Sequence, residues 1–354
     1  MVHVASQLAV RRWQHDPNCV LDYPHNLPAM AVWLDHLKRR GKSRRKPVFS
    51  FPGTAFLRTR IYVDGYNLYY GCLKGTPFKW LDVLSLFEVY VLPSVTADIG
   101  GQRLLPVLDL LAVKFFTAPI LERVAKAADS VQCQDRYHAA LTKHQSGRLE
   151  IIKGYYSLTT TRAMLVDATD TKTAPRDCEE ASVWKLEEKQ SDVNLAIHVI
   201  TDVLLDGIEH VVIVTNDTDI APAVDMIKRR TPAAVGVVIP TTDHERIPNT
   251  DLVRRADWVR SHITPEELQA AQLPRVIPDR RRPVSKPESW YARSDLLEQA
   301  LALGQTQLGQ KAKVYQWLNR PNPHWGNAVP LDMLEAGDTR VIDFMRAWAK
   351  SPAT

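Results

Sequence analysis

Short apolar runs alternate with longer amphipathic segments between residues 60 and 260. The runs are rich in β-branched residues and are bounded by turn-forming residues, so they predict strands. They lie at Arg60–Asp64, Leu108–Phe116, Leu149–Tyr155, His210–Thr215 and Val235–Ile239. The amphipathic segments predict helices at Ile120–His144, Val183–Leu205 and Ile220–Arg230. Strands that alternate with helices predict an α/β fold built on a parallel sheet.

The pattern changes after Leu273. Prolines and basic residues dominate residues 273–290, where prolines stand at positions 274, 278, 283 and 287, and this composition predicts a linker. Helical spacing of apolar residues returns in residues 291–354. The sequence therefore predicts a main α/β domain over residues 58–272, a linker, and a small all-α domain at the C-terminal end.

Composition adds little to this picture except at the N-terminal end. Hydrophobic residues make up 45% of the chain and charged residues 24%, as in ordinary globular proteins. No apolar run is long enough to span a bilayer, and no secretory signal is evident. The sequence therefore predicts a cytoplasmic protein that does not bind a membrane. Residues 1–57 hold nine Lys or Arg against three Asp, which predicts a basic N-terminal extension that is either a solvated tail or a contact for phosphates.

Acidic residues follow two of the predicted strands. Asp64 ends the first strand and Asp217 follows the strand at His210–Thr215, with Asp219 two residues later. The carboxyl ends of parallel strands meet at one edge of a sheet, where ligands bind. Carboxylates gathered there suit Mg²⁺ or Mn²⁺, and such a site can hydrolyse phosphodiesters.

A third acid is expected on the predicted helix Val183–Leu205. Asp192 lies on this helix, and Glu188 precedes it by four residues, which places both on one helical face. A pair of like charges favours a nearby cation, although Lys185 and Lys189 could also neutralise it.

Each acid also has a structural interpretation. Asp64 could stabilise the turn at Gly65, and Asp217 and Asp219 could cap the following helix. Asp192 taken alone is an ordinary polar residue of an amphipathic helix. Only their combination favours a site.

Residues 60–260 resemble the NYN family of PIN-like metal-dependent ribonucleases. Three motifs carry the resemblance in the family's order: I-Y-V-D-G-Y-N-L-Y-Y-G, E-E-K-Q-S-D-V-N-L-A and V-I-V-T-N-D-T-D-I-A-P-A-V. The resemblance implies a PIN-like open parallel sheet with helices on both faces, RNA as substrate and a cluster of Mg²⁺ or Mn²⁺ ligands. The implied metal ligands and catalytic residues are Asp64, Asp192, Asp217 and Asp219, with Asn67 orienting substrate or water. Implied substrate contacts are Thr215, Asn216 and Tyr66, although Tyr66 could equally pack in the core.

Residues 295–350 resemble the toxin-binding domain of Xre/MbcA/ParS antitoxins. The resemblance rests on a W-L-x-x-P-N-x-x-x-G-x-x-P-x-D-x-L spacing from Trp317 onwards, followed by the helix V-I-D-F-M-R-A-W. It implies that residues 291–354 bind a protein partner or a second copy of the chain. A helical cap on the main domain is the alternative.

Three functions compete. The leading prediction is a metal-dependent endoribonuclease, and the second is an RNA-binding adaptor whose NYN site is slow or inactive. The third is a small-molecule hydroxylase, because some relatives with a similar V-D-G-x-N-x-Y-Y-G opening are labelled pyridine-ring hydroxylases. The absence of G-x-G-x-x-G after the first strand gives this third function no dinucleotide-binding motif.

Overall fold

The computed structural model describes residues 54–95, 98–99, 102–166, 172–243, 246–280 and 282–350. The N-terminal extension expected over residues 1–57 lies, up to residue 53, outside the described residues. The strands are β1 Thr54–Asp64, β2 Asp98–Ile99, β3 Gln102–Thr117, β4 Leu149–Lys153, β5 Tyr155–Met164, β6 Glu180–Lys189, β7 His210–Val214, β8 Ala234–Val238, β9 Trp258–Arg260, β10 Val276–Ile277 and β11 Val284–Ser285. The α-helices are α1 Gly65–Leu68, α2 Val83–Ser85, α3 Ser130–His144, α4 Ser191–Leu204, α5 Ala221–Arg230, α6 Thr250–Arg255, α7 Pro265–Ala270, α8 Ser294–Leu308, α9 Lys311–Leu318, α10 Pro330–Glu335 and α11 Arg340–Lys350.

Within the described residues, a seven-stranded sheet has β1 at its centre. Strand β1 pairs in parallel with β3 on one side and with β7 on the other. Strands β8 and β9 continue the sheet beyond β7, and β4 joins it beside β3, all in parallel. Only the short β2 runs antiparallel, to the start of β3. The predicted α/β fold with a parallel sheet is confirmed.

Helices cover both faces of this sheet. Alternate residues of β1 belong to different cores, because successive strand side chains point to opposite faces. Ile61 and Val63 pack with residues of α1 and α3, whereas Tyr62 packs with Leu195 and Val199 of α4. Strands β7 and β8 are buried at every position, as expected when both faces are covered.

The order in which the chain adds strands to the sheet reverses between β1 and β7. The first half of the chain adds β3 and β4 on one side of β1, and the second half adds β7, β8 and β9 on the other. In the register, Val63 lies opposite Val214, so Asp64 and Thr215 leave the sheet side by side. Such a switch point opens a crevice at the carboxyl ends of the strands.

Two predicted helices are shorter than the sequence pattern indicated. The segment predicted as a helix from Val183 is strand β6 as far as Lys189, and helix α4 begins only at Ser191. Gln190 joins them with a φ of 77°, in the left-handed region. The prediction that Glu188 and Asp192 share a helical face is therefore wrong. The helix expected from Ile120 likewise begins at Ser130.

Strands β5 and β6 form a long antiparallel hairpin outside the main sheet. Ten residue pairs join them, from Tyr155 opposite Lys189 to Met164 opposite Glu180. Gly154 precedes the hairpin where the chain approaches the Lys189 carbonyl so closely that a Cβ atom would lie 2.3 Å from that oxygen. The turn therefore requires glycine.

The predicted linker is folded against its neighbours. Strands β10 and β11 pair with each other, and Ile277 is buried in the core that contains Trp80 and Tyr137. Arg275 forms ion pairs with Asp332 and Glu335 of α10. The segment between the α/β domain and the C-terminal helices thus contacts both.

Helices α8 to α11 enclose a separate apolar core. Leu297, Leu301, Val314, Leu331 and Val341 lie at its centre. The predicted small helical C-terminal region is confirmed. Among the described residues, no helix combines the length and apolarity that a membrane span requires.

A buried network of charges ties α4 to the central strand. Asp202 of α4 pairs with Arg60 of β1 and Lys114 of β3, each at 2.8 Å, and accepts a hydrogen bond of 2.8 Å from the Tyr62 hydroxyl. All four residues are buried. Burial raises the pKa of Asp202, but the hydrogen bonds from Lys114, Arg60 and Tyr62 outweigh this effect and hold the pKa below its ordinary value.

We predict that Asp202→Asn lowers the free energy of unfolding by about 3–5 kcal/mol, because it leaves two buried cations without their shared anion. Urea denaturation at neutral pH measures this. Asp206→Asn is the matched control, since Asp206 also pairs with Arg60 but its side chain is 52% exposed. It should cost at most about 1 kcal/mol. Equal losses in the two variants would contradict a special role for the buried network.

Candidate active site

Asp64 is fixed at the carboxyl end of β1 by four hydrogen bonds. Its Oδ1 accepts from the backbone N–H groups of Tyr66 and Asn67, so it caps helix α1 as the structural interpretation expected. Its Oδ2 accepts from the side chains of Asn67, at 2.6 Å, and Thr215, at 3.0 Å. Gly65 follows because a Cβ atom there would lie 2.6 Å from the Phe116 carbonyl oxygen.

The segment after β7 holds the next two acids. The Thr215 hydroxyl that donates to Asp64 also accepts from the Asp217 backbone N–H, at 3.1 Å. Asp217 in turn accepts from the Asp219 backbone N–H, at 3.0 Å, and caps the helical turn Thr218–Ile220. One chain of hydrogen bonds therefore fixes the segment against Asp64.

Asp192 completes a group of carboxylates from the first turn of α4. One carboxylate oxygen from each of Asp192, Asp217 and Asp219 lies within 4.8 Å of the others. Asp64 and Thr215 line the same pocket, and Leu195 and Ile220 form its apolar wall. The structure thus brings together the four acids that the sequence singled out.

Burial and mutual repulsion disturb the proton affinities of these acids. The pKa of Asp64 is raised, first by burial and then by the charge of Asp217, against the hydrogen bonds from Asn67 and Thr215. The pKa of Asp192 is raised to about 6, first by desolvation and then by Asp64, Asp217 and Asp219. Asp192 is nevertheless exposed as a whole residue, so repulsion from three carboxylates is the firmer of these causes.

Glu188 is a further acid near this group. It lies on β6, and its charge acts on Asp64, Asp192, Tyr66 and Tyr156. The sequence pattern predicted a helix through Glu188, on which it would form a like-charge pair with Asp192. Apolar and polar residues alternate only from Trp184 to Glu187, which is a strand signal too short to outweigh the helical pattern.

The remaining predicted residues have other partners. Asn67 positions Asp64 through its side-chain amide. Asn216 holds the following loop, donating to the Ile247 carbonyl and accepting from the Asn249 N–H. The Tyr66 hydroxyl donates to the Ala118 carbonyl at 2.7 Å, and its ring contacts Tyr70 and Tyr156. Their predicted roles in substrate binding stay predictions.

The carboxylates of this group could hold a hard cation. Its donors are carboxylate oxygens, which suit Mg²⁺ or Mn²⁺. Clustered carboxylates repel each other, and a divalent cation would relieve that repulsion. The ligands alone do not define a reaction, because a cation in such a site can polarise or orient many kinds of oxygen-containing substrate.

Comparison with known proteins identifies the C-terminal region. Residues 303–347 match the family model of the antitoxin Xre/MbcA/ParS C-terminal toxin-binding domain. The predicted resemblance of this region is confirmed. The resemblance of residues 60–260 to the NYN family stays a prediction.

A curated relative covers most of the chain. The sequence is 49% identical over 296 residues to 6-hydroxy-3-succinoylpyridine 3-monooxygenase HspA of Pseudomonas putida, covering 82% of this chain and 95% of that protein. A crystal structure of a protein of unknown function from Vibrio parahaemolyticus covers 59% of this chain and 94% of its own, at 15% identity and a TM-score of 0.29. That structural likeness is too weak to carry an argument.

The predicted ribonuclease activity is wrong in the light of this relative. A protein that is 49% identical over nearly its whole length is named a monooxygenase, which favours the hydroxylase alternative. RNA as a partner and the RNA-binding adaptor lose their support with it. The absence of a G-x-G-x-x-G motif does not argue against the hydroxylase alternative, because it excludes only one way of binding a dinucleotide.

We predict that, in EDTA, Asp192→Asn melts at a higher temperature than the wild type at pH 8 and at the same temperature near pH 4. The pKa of Asp192 is higher in the folded state, at about 6, than its ordinary value of 3.8. The folded protein therefore binds more protons between these values, and its stability falls as the pH rises through this window. Above pH 6 the repulsion is fully present, and the substitution removes it.

Thermal melts across this pH range measure the effect. Asp225→Asn is the control, because Asp225 lies on α5 and pairs with Arg255 at 2.9 Å. A destabilised Asp192→Asn protein at pH 8 would show that the repulsion is unimportant.

Proposed function

Because the chain belongs to the family of 6-hydroxy-3-succinoylpyridine 3-monooxygenase HspA, we propose that it is a monooxygenase acting on a hydroxypyridine with an acidic side chain. The observation that carries this proposal is the identity of 49% over 95% of that enzyme. The crevice at the switch point of the sheet is the proposed active site, since its five polar residues converge on one pocket.

The proposed reaction needs a reductant besides oxygen. The relative's name places the new oxygen at ring carbon 3, which carries the succinoyl group, so the bond between that carbon and the succinoyl carbonyl breaks as the carbon–oxygen bond forms. One atom of O₂ becomes the ring hydroxyl and the other leaves as water. If the side chain leaves as an aldehyde, the reaction consumes four electrons and four protons in all. A reduced nicotinamide is the class of reductant that we propose. The protein's task is then to bind and orient the ring and to manage charge and protons around it.

We propose that Asp192, Asp217 and Asp219, with Asp64 beside them, bind Mg²⁺ or Mn²⁺. A substrate of this class carries a carboxylate, which the acidic pocket would repel by itself. A bound cation would supply positive charge and a position for a substrate oxygen. This makes an acid-lined pocket compatible with an anionic substrate.

The residues around the cation site have positioning roles in this proposal. Asn67 and Thr215 hold the Asp64 carboxylate through the hydrogen bonds described above. Without a cation, desolvation and the neighbouring carboxylates raise the pKa of Asp192 to about 6. A cation bound beside it would lower this pKa and keep the carboxylate charged.

We also propose that the C-terminal helices bind a protein partner. The support is the match of residues 303–347 to an antitoxin toxin-binding domain. The rings of Trp317, Trp325, Phe344 and Trp348 contact one another at centroid distances of 5.2–6.4 Å. None of these four rings is fully buried, and half-buried aromatic clusters are favoured at interfaces.

We predict that the purified protein, given ¹⁸O₂, a reduced nicotinamide and 6-hydroxy-3-succinoylpyridine, forms a product that contains one ¹⁸O atom. Mass spectrometry of the product measures the incorporation. Asp217→Asn should reduce product formation roughly 100-fold, as disturbed metal sites do. Asp225→Asn should retain it.

The controls separate hydroxylation from unproductive oxidation. Oxidation of the nicotinamide without substrate is measured in parallel, as is the reaction in H₂¹⁸O with ordinary O₂. Label from water instead of O₂, or no turnover with Mg²⁺, Mn²⁺ or added flavin, would contradict the proposed monooxygenase.

We further predict that alanine at Trp317 and Trp348 weakens association of the full-length chain without unfolding the C-terminal core. Light scattering and pull-down with the full chain as bait measure self-association and partner capture. Val314→Ala is the contrasting variant, because Val314 is fully buried and should lower the melting temperature instead. Unchanged association in the double tryptophan variant would support the helical cap alternative.

A further inference from the structure

The β5–β6 hairpin leaves both of its edges without a strand partner. Its two strands pair with each other over ten residue pairs, and no other strand of the described residues continues this two-stranded sheet. An unpaired edge presents a row of backbone N–H and C=O groups, and an isolated pair of strands is at best marginally stable in water. The hairpin therefore favours a further strand on one of its edges.

One face of the hairpin exposes apolar side chains. Trp184 and Leu186 of β6 share this face with Met164 of β5, because residues that lie opposite each other in an antiparallel pair point the same way. These three residues are 64%, 45% and 44% exposed. Leu158 lies opposite Leu186 and is half-buried. The Arg123 guanidinium lies 5.6 Å from the centroid of the Trp184 ring, yet Trp184 stays largely open to solvent. Exposed apolar residues beside an unpaired edge are typical of a surface that associates with another strand.

The opposite face of β6 carries charges of both signs. Glu187 pairs there with Lys185 at 2.7 Å and with Lys189 at 3.1 Å. The side chains of all three are at least 32% exposed, so these ion pairs contribute little and can be exchanged for others at low cost. The order of signs from Lys185 to Glu187 is self-complementary when two copies of the strand run antiparallel.

We propose that β6 pairs with β6 of a second copy of this chain, antiparallel and around a two-fold axis at Leu186. In this register Leu186 faces its own counterpart, and Lys185 of each copy lies opposite Glu187 of the other. An axis at Lys185 or at Glu187 would instead place two like charges directly opposite each other, which is unfavourable. The charges of β6 therefore select one register.

The same axis joins the two hairpins into one four-stranded antiparallel sheet. Leu158 lies opposite Leu186 within each hairpin, so four leucines would form a continuous row across the sheet. Trp184 of each copy would lie diagonally beside Leu186 of the other, within reach of a large side chain. These contacts remove apolar surface from water on the face where the hairpin exposes it.

Other pairings of the hairpin fit the sequence less well. Arg162 is the only charged residue of β5, so two β5 strands offer no match of opposite charges. A β5 strand added to the β6 edge of another copy would leave one edge open at each end of the assembly, and such contacts propagate into fibres. A two-fold pair of β6 strands closes on itself. This contact would form whether or not the chain is an oxygenase.

Charge reversal tests the register. Analytical ultracentrifugation of the full-length chain should show a dimer whose Kd rises roughly 10-fold or more in Lys185→Glu and in Glu187→Lys, because each change creates two like-charged pairs. The double variant should recover the affinity, and so should an equimolar mixture of the two single variants, whose charges complement each other. Glu150→Lys is the matched control, since Glu150 is exposed on β4, which pairs only with β3 among the described strands. It should associate like the wild type.

A disulfide tests the position of the axis. Leu186→Cys should cross-link two chains on mild oxidation, because residues that face each other in an antiparallel pair have Cα atoms about 4.5–5.5 Å apart, within the range of a disulfide. Trp184→Cys is the control on the same face, since its two copies would lie about 13 Å apart and should not cross-link. The wild-type chain, which has four cysteines of its own, is oxidised in parallel.

The outcomes separate this contact from association through the C-terminal helices. Leu186→Cys should still cross-link when Trp317 and Trp348 are replaced by alanine, and loss of the cross-link there would assign association to those helices and overturn the inference. A wild-type chain that sediments as a monomer would also overturn it. So would a dimer whose Kd is unchanged by charge reversal, or is not restored by mixing the single variants. Rescue by mixing together with the Leu186→Cys cross-link would support the β6–β6 contact.

Discussion

The pairing of β1 with β7 is the constraint on which the site depends. Each carboxylate gathered at the ends of these strands needs either a hydrogen bond or a cation, because charges of one sign converge there. Asp64 accepts hydrogen bonds from the side chains of Asn67 and Thr215. The Thr215 hydroxyl also accepts from the backbone N–H of Asp217. The other carboxylates remain closer to water. A shift of one residue in the β1–β7 register would move Thr215 away from Asp64 and break the hydrogen bond between them.

The fold and the grouping of the four acids at one edge of the sheet could be predicted from the sequence because both depend on local patterns. Strand β7 is a continuous apolar run followed by Asp217, and β1 ends on Asp64, so the chain order of strands and acids implies their meeting at one sheet edge. The hairpin β5–β6 was not predicted because its residues alternate only weakly and because residues 165–179 separate its two strands. Propensity over residues 183–190 did not reveal that the chain turns at Gln190, where a non-glycine residue adopts a left-handed conformation.

The reaction was less predictable than the site. A set of Asp carboxylates at a switch point indicates a hard cation, and a cation of this kind serves phosphate, carboxylate and carbonyl oxygens alike. Motifs around the acids led to the prediction of a nuclease, whereas a relative that is 49% identical over 82% of the chain is named a monooxygenase. The difference has a physical origin. Ligands of a cation define its coordination, but they do not define which substrate is selected.

The position of Glu188 could not be predicted from the local sequence pattern. A helix through residues 183–205 would also have placed Glu188 near Asp192, at a spacing of four residues, so the expected proximity is correct for the wrong reason. On a helix, however, Glu187 and Glu188 would both lie at the edge of a solvated face. On a strand they point in opposite directions, and only Glu188 turns towards Tyr156 and the crevice. The position of Glu188 therefore depends on where β6 ends and on the turn at Gln190. Glu187 lies on one face of the strand, where it forms ion pairs, and Glu188 lies on the opposite face.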